Sequence, residues 1–157
     1  MENVFPAPSP GKRTPEHLMT DPAPRWQYQF DQYRRAFTLL REAIEQEQPL
    51  TQLAKEGVTR RFARVVELAW KTLKDYLESE NVVLEPVTPR TVIRRAFEAG
   101  IIEQGDAWQK ALDARNRMSH TYNLETFERV IADIRTSYLA AFEELYLFLL
   151  ERRIAAP

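Results

Sequence analysis

Trp26, Phe30, Tyr33, Phe37, Leu40 and Ile44 step by alternating fours and threes along the chain. That spacing lays large apolar side chains in one stripe along an α-helix. Two further segments repeat the pattern. Phe62, Val65, Val66, Ala69, Trp70, Leu73, Tyr76 and Leu77 form a second stripe. Phe127, Val130, Ile131, Ile134, Tyr138, Phe142, Leu145 and Leu149 form a third. Such a stripe is stable only when buried against another element. No stretch alternates apolar and polar residues as a half-buried strand does. The spacing therefore predicts an all-α fold, an up-and-down bundle of four to five helices with short loops.

Turn and cap residues place the helix ends. The first helix is expected over about 25–47, with Pro49 ending it. The second is expected to reach about Glu80, with Gly57 placed to break its start. Thr88 can cap a short third helix, with Pro89 at its first position, and Gly100 can stop it. A fourth is expected over about 106–121. Asn123 can cap a fifth, over about 125–152.

The bundle is thus expected over residues 25–152, and a chain of 157 residues can bury a core of that size. Residues 1–24 hold six of the ten prolines and no helical period, so they are expected to be a disordered tail, which includes His17. Residues 153–157 are expected to form a short C-terminal tail. The segment LYLFLL at 145–150 is apolar nearly all round. A helix on the outside of a small bundle would need a partner to cover that surface, which predicts a homodimer.

The formal net charge is −1, so no bulk field draws the chain to nucleic acid or membrane. Of the 22 basic residues, 17 are Arg and 5 are Lys. Guanidinium groups bind phosphate and carboxylate in bidentate fashion. A GC-rich genome or a heat-adapted host would produce the same excess. There are no cysteines, which excludes disulfides, thiolate catalysis and cysteine zinc sites. No apolar run approaches the ~20 residues that cross a bilayer. The N-terminal stretch also lacks the apolar segment of a secretory signal, so a cytoplasmic location and no membrane partner are expected.

Other chemistry is also missing. The four glycines, at 11, 57, 100 and 105, make neither a P-loop nor a GxGxxG turn. No D-x-D or D-x-E pair is present for two-metal nucleotidyl transfer. One histidine outside the tail cannot build a zinc site within one chain. No metal or cofactor is expected.

The segment RNRMSHTYN, at 115–123, concentrates Arg, Asn, His and Tyr on the fourth helix. At about 100° per residue, Arg115, Met118 and Tyr122 share one face and Asn116 and His120 another. Arg115 and His120 are about 140° apart, too far to enter one narrow pocket on a regular helix. Either the helix ends near His120, or a second copy of the motif completes the site across a two-fold axis. Metal-free RNA cleavage needs a general base for the 2′-hydroxyl and a general acid for the leaving oxygen. It also needs a cation for the charged phosphorane. Histidine suits the proton transfers near neutral pH, and a symmetric dimer supplies two of them. Arg115 would be the fixed cation. A lone histidine at a helix end also serves as an ordinary surface or capping group.

R-N-x-x-S-H-x-Y, formed by Arg115, Asn116, Ser119, His120 and Tyr122, resembles the R-x4-H-x-Y signature of HEPN domains. Within that superfamily the chain resembles the nucleotidyltransferase substrate-binding protein family. RRFARVVELAWKTLKDYLE at 60–78, TPRTVIRRAFEAGII at 88–102 and MSHTYN at 118–123 carry that resemblance. It spans about residues 25–152.

The resemblance implies a homodimeric helical bundle and a separately encoded minimal nucleotidyltransferase as partner. It also implies a toxin-like role in which Arg115 and His120 cleave RNA without metal. The partner would silence that activity by adding AMP to Tyr122. The rival reading is a non-catalytic subunit in which Asn116, Arg117 and Ser119 help Arg115 hold a nucleotide or phosphate. A structural helical adaptor is a third.

Overall fold

The computed structural model describes residues 23–120 and 123–156. It consists of α1 (Arg25–Ile44), α2 (Gln52–Ser79), α3 (Pro89–Glu98), α4 (Gly105–His120), α5 (Leu124–Asp133), a π-helical turn (Ile134–Tyr138) and α6 (Leu139–Ala155). No strand occurs among the described residues, and the fold is an all-α bundle. No described helix is long and apolar enough to cross a membrane. All but the last two residues of the segment expected as an N-terminal tail lie outside the described residues.

The helix ends follow the local chemistry. Thr51 caps α2 by accepting from the Ala54 N–H at 3.1 Å. Thr88 accepts from the Thr91 N–H at 3.2 Å, with Pro89 opening α3. Gly100 closes α3 at φ 76°, a conformation that costs glycine little. There Ile101 N–H donates back to the Ala96 carbonyl at 2.9 Å, the long bond of a Schellman turn. Asn123 caps α5 by accepting from Glu125 N–H at 2.8 Å and Thr126 N–H at 3.3 Å.

Three expectations are corrected. The C-terminal tail expected from residue 153 is helical to Ala155, where Arg153 pairs with Asp31 of α1 and extends the last helix over the bundle. Gly57 does not break α2, which is continuous from Gln52 to Ser79. A glycine inside a helix costs about 1 kcal/mol relative to alanine, and the burial of Val58 and Phe62 in the next turn outweighs it. The single helix expected over 125–152 is interrupted by the π turn at Ile134–Tyr138. In that turn Leu139 N–H donates to the Ile134 carbonyl, five residues back. The wider turn keeps Ile134, Tyr138 and Phe142 facing the core through two successive four-residue steps.

α1 packs along α2 in antiparallel fashion. Trp26 meets Tyr76 edge-on at 5.2 Å near one end, and Arg61 reaches the Leu39 carbonyl near the other. All six residues of the first stripe are buried. Phe142 of α6 is the hub of the core. Its ring lies 5.2 Å from Trp108 of α4, 6.1 Å from Phe62 of α2 and 6.3 Å from Phe37 of α1. Its carbonyl accepts a 2.7 Å hydrogen bond from the fully buried Tyr33 hydroxyl. This packing holds α4, and with it the motif, against α2. Trp70, expected in the second stripe, is only partly buried.

On α6, Leu145 and Leu149 face the core, while Tyr146, Phe148 and Leu150 pack on it partly exposed. Leu147 is 51% exposed and Ile154 75% exposed on the outside. The helix is therefore peripheral within one chain rather than central.

Candidate functional site

α4 carries Arg115 through His120 on its last turns. Its N-terminal half is anchored by Trp108, Ala111, Leu112 and Ala114, all buried. The polar end of the helix is thus presented from a fixed base.

Arg115 reaches across to α2 and forms a close ion pair with Glu67 Oε1. The other Glu67 oxygen pairs with Lys71 Nζ, one helical turn on, at 3.1 Å. Burial opposes ionisation of the Glu67 carboxyl. The Lys71 hydrogen bond and the charges of Arg115 and Lys71 outweigh it and hold the group below the usual carboxylate range. Both partners stay accessible, with side-chain exposure of 29% for Arg115 and 24% for Glu67. The guanidinium has five N–H donors, so pairing with one carboxylate leaves others for a ligand.

Arg115 lies on the wall of an open cleft of about 400 Å³ between α2, α4 and α5. Arg60 and Thr59 of α2, Met118 and Ser119 of α4 and Phe127 of α5 also line it. The Ser119 hydroxyl donates to the Arg115 carbonyl at 3.1 Å, which leaves its oxygen lone pairs free to accept.

The remaining motif residues lie elsewhere. Asn116, Arg117 and His120 are exposed and do not line this cleft. Arg117 acts on a different surface. Burial raises the Tyr138 phenol above its ordinary range and the Asp133 charge adds to this, while the positive charge of Arg117 pulls the other way. His120 is the last described residue of α4. One chain therefore does not bring Arg115 and His120 into one pocket, as their angular separation on a helix requires. Tyr122, the expected modification site, lies outside the described residues.

Two partners of this site escape a sequence reading. Glu67 sits between core positions of α2 and looks like an ordinary solvated carboxylate of an i, i+4 pair with Lys71. Arg60 lies 55 positions from Arg115 in the chain, and only the packing of α2 on α4 brings both to one cleft. Among the described residues, no group of three or more His, Asp or Glu stands close enough to hold a metal ion.

A larger groove of about 560 Å³ lies away from the motif, between α3 and α4. A Cβ on its Gly105 would approach the Phe97 ring to 3.0 Å, so a larger residue there requires the exposed ring to shift. Its lining mixes Arg94 and Lys110 with Glu103 and Asp106 and shows no preference for either sign of charge.

Comparison with known proteins adds three findings. The family model described as nucleotidyltransferase substrate binding protein like matches residues 28–151. No curated protein matches the chain. A crystal structure of a protein from Thermus thermophilus superposes with a TM-score of 0.64 at 28% identity, covering 72% of this chain and 94% of that one.

Proposed function

We propose that this chain, which belongs to the nucleotidyltransferase substrate binding protein like family, is the HEPN-type partner subunit of a separately encoded minimal nucleotidyltransferase. In this reading it is a toxin-like, metal-independent ribonuclease whose centre forms between two copies. The observation that carries the proposal is the placement of the motif. Arg115 is fixed at an accessible cleft by Glu67, and His120 is exposed at the end of the same helix. One chain holds one such histidine, and it does not line the cleft of the arginine. A second copy supplies what is missing.

The chemistry follows from those groups. One His120 takes the proton of a ribose 2′-hydroxyl as that oxygen attacks the neighbouring phosphorus. The bond from phosphorus to the 5′ oxygen breaks, and the other His120 gives that oxygen its proton. A 2′,3′-cyclic phosphate and a free 5′-hydroxyl result. Arg115 neutralises charge on the phosphoryl oxygens as the phosphorane forms. AMP on Tyr122 would bring a second phosphate and a base to this region, competing for the guanidinium and filling the space that RNA needs.

One observation favours a second reading. Arg115, Ser119 and Arg60 share the cleft while His120 does not line it. That arrangement suits a non-catalytic subunit that holds a nucleotide phosphate for its partner through Arg115, Ser119 and Arg60.

Expression of the chain alone separates the two readings. Growth arrest with loss of RNA integrity, abolished equally by Arg115→Ala and His120→Ala, supports the ribonuclease. Removing an acid/base group costs roughly 10²–10⁴ in rate. Unimpaired growth and intact RNA, together with nucleotide binding lost only in Arg115→Ala, favours the binding subunit. Incubation with the cognate nucleotidyltransferase and ATP then tests the switch. A mass gain of AMP that is absent in Tyr122→Phe supports it.

A further inference from the structure

α1 and α2 enclose a second, smaller groove, of about 310 Å³, whose charge is of one sign. Arg35 of α1 and Arg60, Arg61 and Arg64 of α2 line it over an apolar floor of Ala36 and Leu39, and no carboxylate does. This is unusual within a chain of net charge −1. Elsewhere its arginines pair with acids, as Arg25 does with Asp75, Arg41 with Glu143, Arg90 with Asp113 and Arg153 with Asp31. The four groove arginines form no ion pair among the described residues.

All four are exposed, so water and ions screen their mutual repulsion, and guanidinium groups left without a carboxylate in one concave place are available to a polyanion. One of them is already held in position. Arg61 Nη1 donates to the Leu39 carbonyl at 3.1 Å, and its other donors remain free. Arg60 and Arg64 are one helical turn apart, about 6 Å along the axis, a spacing on the scale of consecutive phosphates in an extended strand. Arg60 lines both this groove and the Arg115 cleft, so the two meet at that side chain.

We infer that the α1–α2 groove is a binding track for the phosphate backbone of single-stranded RNA, leading past Arg60 into the Arg115 cleft. Arginines that meet no base-reading partner recognise charge and spacing, so binding is independent of sequence. The choice of RNA as the polyanion rests on the ribonuclease reading, whereas the track itself is measured by binding without cleavage.

The test uses the full chain carrying His120→Ala, so that RNA stays intact, and a short fluorescent oligouridylate. Arg35 and Arg64 are substituted because both lie outside the Arg115 cleft. Binding to the parent should weaken steeply with KCl. In Arg35→Glu/Arg64→Glu it should be roughly tenfold weaker or more at low salt, and the slope of log K against log[KCl] should be shallower by about 1.4, two phosphate contacts' worth. Melting curves confirm that the variant folds, and Arg35→Gln/Arg64→Gln should show the same shift if it does not. Unchanged affinity and slope in the folded variants would overturn the track while leaving cleavage by His120 untouched. Loss of binding to the cognate nucleotidyltransferase with RNA binding intact would also overturn it, assigning the groove to an acidic protein surface. Salt-dependent RNA binding that the arginine variants weaken, in a chain that never cleaves RNA, would keep the track and remove the ribonuclease.

Discussion

Arg115 of α4, on the wall of the cleft, forms an ion pair with Glu67 of α2, and Lys71 takes the second oxygen of the same carboxylate. The pair makes the arginine's position a property of helix packing rather than of a flexible side chain. It also means that the cation proposed to meet a phosphate is partly neutralised until a ligand competes for it.

Glu67→Gln is therefore expected to act in two directions. The amide keeps the shape but loses the charge, so stability at neutral pH should fall by about 1 kcal/mol, the upper range for a partly exposed pair. The folded-state carboxyl is held below its ordinary value. Its contribution is thus present above the unfolded value near 4.3 and is lost as pH falls through the folded value. Urea melts of both proteins in steps from pH 7 downward should show the difference at pH 7 and its progressive loss as the wild-type carboxyl takes up its proton. A released Arg115 should meanwhile bind phosphate more tightly at pH 7.

Tyr33→Phe tests the hub. The Tyr33 hydroxyl is fully buried and donates to the Phe142 carbonyl at 2.7 Å. Its removal should cost roughly 0.5–1.5 kcal/mol. Burial holds this phenol protonated well above its ordinary range. The stability it contributes is present below the unfolded value near 10 and is lost as pH rises toward the folded one. Wild-type stability should fall as pH passes about 10, and that of Tyr33→Phe should fall less steeply. Equal slopes would mean that the other tyrosines carry the whole effect.

Leu147 and Ile154 lie seven residues apart on the outer face of α6, and both are exposed. Two turns of helix bring them to the same side, and apolar residues so placed suit a contact between two copies of the chain. Light scattering at micromolar concentration should report a dimer for the wild type and a monomer for Leu147→Asp. The variant should keep its helical circular dichroism, because Leu147 does not enter the core. A monomeric wild type would remove the dimer.

Much of the bundle is legible in the sequence because apolar period and cap chemistry act locally. The first stripe is buried residue for residue, and Thr88, Pro89, Gly100 and Asn123 stand at the helix ends they predict. The π turn is not predicted by the period, although it leaves a trace. Ile134, Tyr138 and Phe142 make two consecutive steps of four where a regular stripe alternates fours and threes. Gly57 misleads because backbone propensity at one residue is small beside the burial on either side of it. At the site, the angular separation of Arg115 and His120 follows from the helix alone. The Glu67 partner and the convergence of Arg35 with Arg60, Arg61 and Arg64 do not, since both depend on which helices meet.

The proposal that one centre uses both histidines makes a prediction about unequal pairs. Wild-type chains and His120→Ala chains carrying different tags can be co-expressed and the mixed dimer isolated by two affinity steps. If one His120 accepts the 2′-hydroxyl proton and the other protonates the leaving oxygen, the mixed dimer retains only half of the proton-transfer pair. Its cleavage rate should then fall close to that of the His120→Ala homodimer, a loss of roughly 10²–10⁴. If each chain instead carries a self-sufficient site, the mixed dimer should retain about half of the wild-type rate, as independent sites in a two-fold assembly do. A mixed dimer of wild-type and Arg115→Ala chains provides the comparison. Its surviving arginine can still meet the phosphate from one side, so its rate should lie between the wild type and the mixed histidine dimer. Half-activity in the histidine hybrid would remove the shared centre and require each chain to bring its own Arg115 and His120 together, against the separation observed along α4.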